Sequence, residues 1–133
     1  MSNYEYAAKV HRVVDGDTLY LKLSKTFQMP VDFGFNIIDT LTLTKDAVVE
    51  FRLFGINTPE VVGVTRTAGL EAVGELKRLL GLGPLRVVSY KPDKYGRYLA
   101  DIYVTVGSSE IHVNQELIKD GFATQYFGVG PKT

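Results

Sequence analysis

With 133 residues, 45% of them hydrophobic, the chain can build one substantial core but not two, so residues 1–133 are expected to form a single domain. Lysine plus arginine and aspartate plus glutamate each number 15, and this balance excludes a global attraction to polyanions, so any nucleic-acid contact must use a local basic patch. The absence of cysteine excludes a disulfide scaffold or a thiolate metal centre, and no apolar run approaches the roughly 20 residues that span a bilayer, so no membrane partner is expected.

The first ten residues lack the basic start and apolar run of a secretory signal, which leads to the expectation of a cytoplasmic protein. From residue 6 to 23 apolar side chains alternate well after Thr18 and break at Asp15-Gly16-Asp17. This predicts two antiparallel strands joined by a tight turn in which glycine would supply positive φ. Residues 24–46 contain Pro30, Gly34 and two β-branched runs, and are expected to form an extended hairpin or loop. Residues 48–56 read as a strand that stops at Asn57-Thr58-Pro59, where the proline forces a loop. Between 67 and 80, Leu70, Val73, Leu76 and Leu80 recur at helical spacing, with Gly81 and Gly83 behind them as stop signals. Residues 85–89 and 98–106 predict two more strands around the charged segment 91–97. A turn at Gly107-Ser108-Ser109 follows, then a short helix over 113–119 closed by Gly121 as a left-handed cap. The tail from 125 to 133 reads as irregular. This order of elements fits a small closed or nearly closed barrel, with one helix between the third and fourth strands.

Three segments carry candidate chemistry. Asp15-Gly16-Asp17-Thr18 puts two carboxylates on a turn, where they can serve a hard cation that prefers oxygen ligands; an ordinary solvated hairpin has the same composition. In Phe51-Arg52-Leu53-Phe54-Gly55-Ile56-Asn57-Thr58-Pro59-Glu60, a lone arginine interrupts an apolar strand. Alternation sends it away from Phe51 and Leu53, and a guanidinium there must reach solvent or meet an anion. Asp93-Lys94-Tyr95-Gly96-Arg97 combines two cations and a ring on one short loop, suited to phosphate contact and base stacking, or simply to an exposed hairpin tip.

Taken together and in this order, Asp-Gly-Asp-Thr, Arg with Asn-Thr-Pro-Glu, and Asp-Lys-Tyr-Gly-Arg resemble the staphylococcal nuclease (thermonuclease) family over roughly residues 8–127. The resemblance implies an α+β, mainly β fold: a five-stranded OB-fold barrel with two helices, here with an extended β-hairpin insertion between strands two and three. It implies a calcium-dependent, thermonuclease-like endonuclease acting on DNA or RNA and leaving 5′-hydroxyl and 3′-phosphate ends. Carried over, Ca2+ or another divalent metal would be held by Asp17, Asn57 and the Thr58 carbonyl, with Asp15 close behind. Glu60 would activate or orient water, and Arg52 and Arg97 would bind the scissile phosphate. Lys94 and Tyr95 would contact a neighbouring phosphate or sugar, and Tyr126 or Phe127 would stack on a base.

Two departures matter. Asn57 stands where the family usually has an aspartate, which keeps an oxygen but removes a negative charge, so metal affinity should fall or the preferred ion change. Residues 24–46 exceed the family's short connection and can cap the site or join copies into a homo-oligomer. A second function class stays open: a weak or inactive OB-fold module that binds single-stranded nucleic acid or a protein without cutting it. His11 and His112 have no second histidine at metal spacing and are given no role.

Overall fold

A computed structural model describes residues 4–92 and 98–126. The chain runs through β1 (Tyr4–Asp15), β2 (Thr18–Asp32), β3 (Ile38–Leu53), β4 (Ile56–Asn57), a 3-10 turn (Gly63–Thr65), α1 (Arg66–Leu80), β5 (Leu85–Pro92), β6 (Tyr98–Val106), β7 (Ser109–His112), α2 (Val113–Lys119) and β8 (Thr124–Gln125). The main sheet has the order β3-β2-β1-β5-β6-β7, and a parallel pairing of β3 with β6 turns its first five strands into a ring. Among the described residues, Phe51, Arg52 and Leu53 pair across this closure, with Tyr98, Leu99 and Ala100. The architecture is mainly β and OB-like, an unevenly closed barrel with two α-helices among the described residues.

Alternation explains the interior. Leu19 and Leu21 of β2, Phe51 and Leu53 of β3, Val87 of β5, and Ile102 and Val104 of β6 point inward and are buried. Helix α1 packs against β1 and α2 through Ala72, Leu76, Leu79 and Leu80. The expected apolar stripe is therefore rotated, because Leu70 is exposed and Ala72 and Leu79 take the core positions. Gly121 has φ +82 and ends α2 as expected.

Asn114 joins the second helix to the barrel. Its side-chain amide donates to the Phe54 and Ala100 carbonyls, at 3.0 Å each, and its oxygen accepts the Ile102 N–H at 3.1 Å. At the opposite side of the sheet, Arg86 of β5 bridges Glu5 and Glu110 at 2.7 and 2.8 Å, tying β1 to β7.

Beyond the barrel, β2 and β3 continue as one two-stranded ribbon, in unbroken register from Ser24↔Asp46 to Asp32↔Ile38. Strand β1 leaves β2 at Ser24, so among the described residues both edges of this arm lack a sheet neighbour. That is why Pro30 can sit inside a strand: an outer edge needs no ladder N–H.

Candidate active site

Asp17, on the turn between β1 and β2, reaches the site because Gly16 has no side chain. A Cβ at Gly16 would lie 2.7 Å from the Ala72 Cβ and 2.9 Å from the Thr58 hydroxyl oxygen. Gly16 is not among the positive-φ residues, so close approach, and not the expected left-handed turn, explains this glycine. The Asp17 carbonyl accepts the Leu53 N–H at 2.8 Å, stitching the turn to the end of β3.

The Asp17 carboxylate is 1% exposed and organises what surrounds it. Its Oδ2 accepts the Thr58 N–H at 3.0 Å, and its Oδ1 accepts the Thr18 hydroxyl at 3.1 Å. Arg52, 6% exposed, brings Nη1 to 3.2 Å from the same Oδ2. That contact is an ion pair without hydrogen-bond alignment, since Nη1 has no hydrogen-bond partner among the described residues. The second nitrogen, Nη2, donates to Asn57 Oδ1 over a long 3.5 Å. The sequence required the lone arginine of an apolar strand to find solvent or an anion, and it finds Asp17.

Asn57 and Thr58 are positioned by a turn and a two-residue sheet. Gly55, with φ +78, reverses the chain after β3, and β4 then pairs with β8 through Ile56↔Gln125 and Asn57↔Thr124. The same pairing carries Tyr126, whose N–H donates to the Gly55 carbonyl at 2.8 Å. Its ring lies 5.6 Å from the Arg52 guanidinium carbon, a cation–π distance. The reading of the tail as irregular thus missed β8, and the strand character of β7 was also missed.

The fold therefore gathers Asp17, Arg52, Asn57, Thr58 and Tyr126 in one place. Asp15 closes β1 in register with Thr18 and is partly buried. Glu60 is exposed in the loop after Pro59. Its carbonyl accepts the Thr65 hydroxyl at 2.7 Å, and it lies so close to α1 that a Cβ at Gly69 would come within 2.5 Å of it. Arg97, Lys94 and Tyr95, with Phe127, lie outside the described residues. The sequence alone gives Asn114 no role; an asparagine in the first turn of a helix that follows a strand is one signal for it.

The donor set suits a hard divalent cation in kind more than in charge. One carboxylate, one amide oxygen and a backbone carbonyl are oxygen donors of the right kind, and the Thr58 hydroxyl is buried with no hydrogen-bond partner among the described residues, an orphan that a ligand can satisfy. The charge is low: among the described residues no three His, Asp or Glu side chains gather, and Arg52 already balances Asp17. The residues fit such an ion in type, with less negative charge than two carboxylates would bring.

The family model described as "Staphylococcal nuclease homologue" matches residues 50–133, which include Arg52, Asn57, Thr58 and Glu60. The chain belongs to the staphylococcal nuclease homologue family. Two curated relatives agree in coverage. A protein of Methanocaldococcus jannaschii named "Uncharacterized protein MJ1439" is 28% identical across 91% of this chain and 59% of its own length. "Endonuclease YhcR" of Bacillus subtilis is 33% identical across 92% of this chain and 9% of its own length. The chain thus spans little more than half of one relative and under a tenth of the other. Among solved structures, a human TDRD1 extended Tudor domain in complex with a symmetrically dimethylated peptide has 16% identity and a TM-score of 0.45. It covers 91% of this chain and 58% of that chain, and at that score the likeness decides nothing.

Proposed function

We propose that this family domain is a metal-dependent nuclease that hydrolyses phosphodiester bonds in DNA or RNA. The observation that carries the reading is the Arg52 guanidinium, buried against Asp17 and the Asn57 oxygen in a domain whose family is named for a nuclease. A permanently charged group in that position is prepared to trade its internal anion for a phosphate. Arg97 acts with it on the scissile phosphate, and Lys94 and Tyr95 contact the neighbouring nucleotide. Tyr126 stacks beside Arg52 on a base or sugar.

Water attacks phosphorus in line as Glu60 takes its proton, and the bond to the 5′ oxygen breaks, that oxygen leaving with the bonding pair and taking a proton from solvent, so that a 5′-hydroxyl and a 3′-phosphate result. Negative charge grows on the non-bridging oxygens, where fixed guanidiniums stabilise it most. Asp17, Asn57 and the Thr58 carbonyl, with Asp15 nearby, would hold Ca2+ or a similar ion, which when bound supplies further positive charge at the phosphate.

A cleavage assay tests this: single-stranded DNA and RNA are incubated with the chain and Ca2+ or Mn2+. Cutting that a chelator abolishes and Glu60→Gln strongly reduces is the expected result. Asn57 favours a second reading, a module that holds single-stranded nucleic acid or a protein without cutting. Salt-sensitive binding with no turnover in any divalent metal would replace the first reading with this one.

A further inference from the structure

The arm formed by β2 and β3 beyond the barrel has two unlike faces. On one, Ser24 donates to Asp46 at 2.6 Å and Thr26 bonds Thr44 at 3.1 Å; Gln28 pairs with Thr42 and Pro30 with Thr40. The other continues the register of the barrel's own interior face, Leu19 and Leu21, out into solvent. Its pairs are Lys25↔Lys45, Phe27↔Leu43, Met29↔Leu41 and Val31↔Asp39. Phe27, Met29, Leu41 and Leu43 are all exposed, and among the described residues nothing covers them. An isolated two-stranded ribbon is marginal in water, and an apolar face of this kind calls for a cover.

We propose that the cover is the same face of a second copy, stacked antiparallel about a two-fold axis at the level of the Gln28–Thr42 pair. The charges make this face complementary to itself. Lys25 and Lys45 stand opposite each other at its barrel end, an unfavourable like-charge pair, and Lys25 leans along the face with its amine 5.3 Å from the Phe27 ring centroid. Asp39 stands at the other end. Positions 45 and 39 are equidistant from Thr42, as 25 and 31 are from Gln28, so the axis sets Lys45 against the second copy's Asp39, and Phe27 against its Met29. A two-fold interface makes each contact twice.

The other surfaces fit less well. Pro30 has no N–H to offer a strand added at the β2 edge. Asp32 and Asp39 lie nearest the tip and the lysines nearest the barrel, the wrong order for an arm entering an anionic bilayer or gripping phosphate. The tip adds apolar surface: Phe33 and Ile37 are exposed, and Phe35, with φ 54, is 99% exposed. From strand spacing and rise the ribbon face measures only about 10 by 24 Å, less than the roughly 800 Å² per partner of a stable interface. Association is accordingly weak and depends on concentration.

Sedimentation velocity on the full chain, from micromolar to millimolar, tests the proposal. The expected result is a monomer–dimer equilibrium that Lys45→Asp or Asp39→Lys each weakens about tenfold or more, since each sets like charges together twice. The two substitutions combined restore the dimer. Leu43→Thr, which retains β propensity, gives an independent loss of dimer, and circular dichroism verifies that every variant is folded. A monomer throughout the series, or a charge-swapped double variant no better than the single ones, overturns the proposal. So does flotation of a monomeric chain with phosphatidylserine vesicles that Phe35→Ser abolishes.

Discussion

The Arg52 guanidinium and the Asp17 carboxylate lie 3.2 Å apart, and both are almost completely withdrawn from solvent. Neither can lose the other cheaply. Truncating one partner of a buried ion pair leaves the other charge uncompensated, which commonly costs about 3–5 kcal/mol. Arg52→Ala is therefore expected to lower stability by about that amount in urea unfolding, and cleavage by about a hundred- to a thousandfold. The combined Asp17→Asn, Arg52→Met variant should be more stable than Arg52→Ala but equally inactive. Recovered stability without recovered cleavage separates the pair's role in folding from its role at the phosphate.

Asn57 offers a gain-of-function test. Its Oδ1 already sits beside the Arg52 guanidinium, so Asn57→Asp adds a negative charge where a cation and a guanidinium can share it. The metal concentration giving half-maximal cleavage should fall about tenfold, because ligand charge tunes affinity for hard cations. An unchanged metal dependence would mean that Asn57 is not a ligand.

Asn114 supports the site from behind. Its three hydrogen bonds reach Phe54, just past Arg52 on the chain, and Ala100 and Ile102 of β6. Asn114→Ala would strand the Ile102 N–H, whose bond to Asn114 is buried, with an expected loss of roughly 1–3 kcal/mol. Thermal and urea unfolding measure it. Asn114→Asp should recover part of that stability, since it can still accept the Ile102 N–H.

Periodicity made the barrel strands visible because Leu19, Leu21, Phe51 and Leu53 alternate with polar neighbours, and α2 was bounded by Gly121. Partners distant in the chain decided the rest. Burial of Arg52 depends on Asp17, 35 positions earlier in the sequence, and the place of Tyr126 depends on β8 pairing with β4. Gly16 looked like a turn residue because Asp-Gly commonly is one, whereas the crowding by Ala72 and Thr58 that requires it exists only in the folded chain. Motif order is enough to mark Asp17, Arg52, Asn57 and Thr58 as candidates. It could not reveal that Asp17 and Arg52 would be paired to each other.

Alkaline pH tests a cluster that links β5, β6 and β7. Tyr90 donates to Asp101 Oδ2, and Asp101 Oδ1 lies 2.8 Å from His112 Nε2. Burial, reinforced by the hydrogen bond to Asp101, pushes the Tyr90 phenol up to about 12 from an ordinary 10.0. Because the folded value is raised, the contribution of the neutral phenol to stability is complete below the unfolded value and is lost as pH climbs through the folded one. Stability should therefore decline between about pH 10 and 12, partly through this one group. Tyr90→Phe should remove one phenolate from the late part of an ultraviolet absorbance titration and flatten that decline. If the variant's titration loses its phenolate from the early part instead, Tyr90 is not held neutral by burial and Asp101.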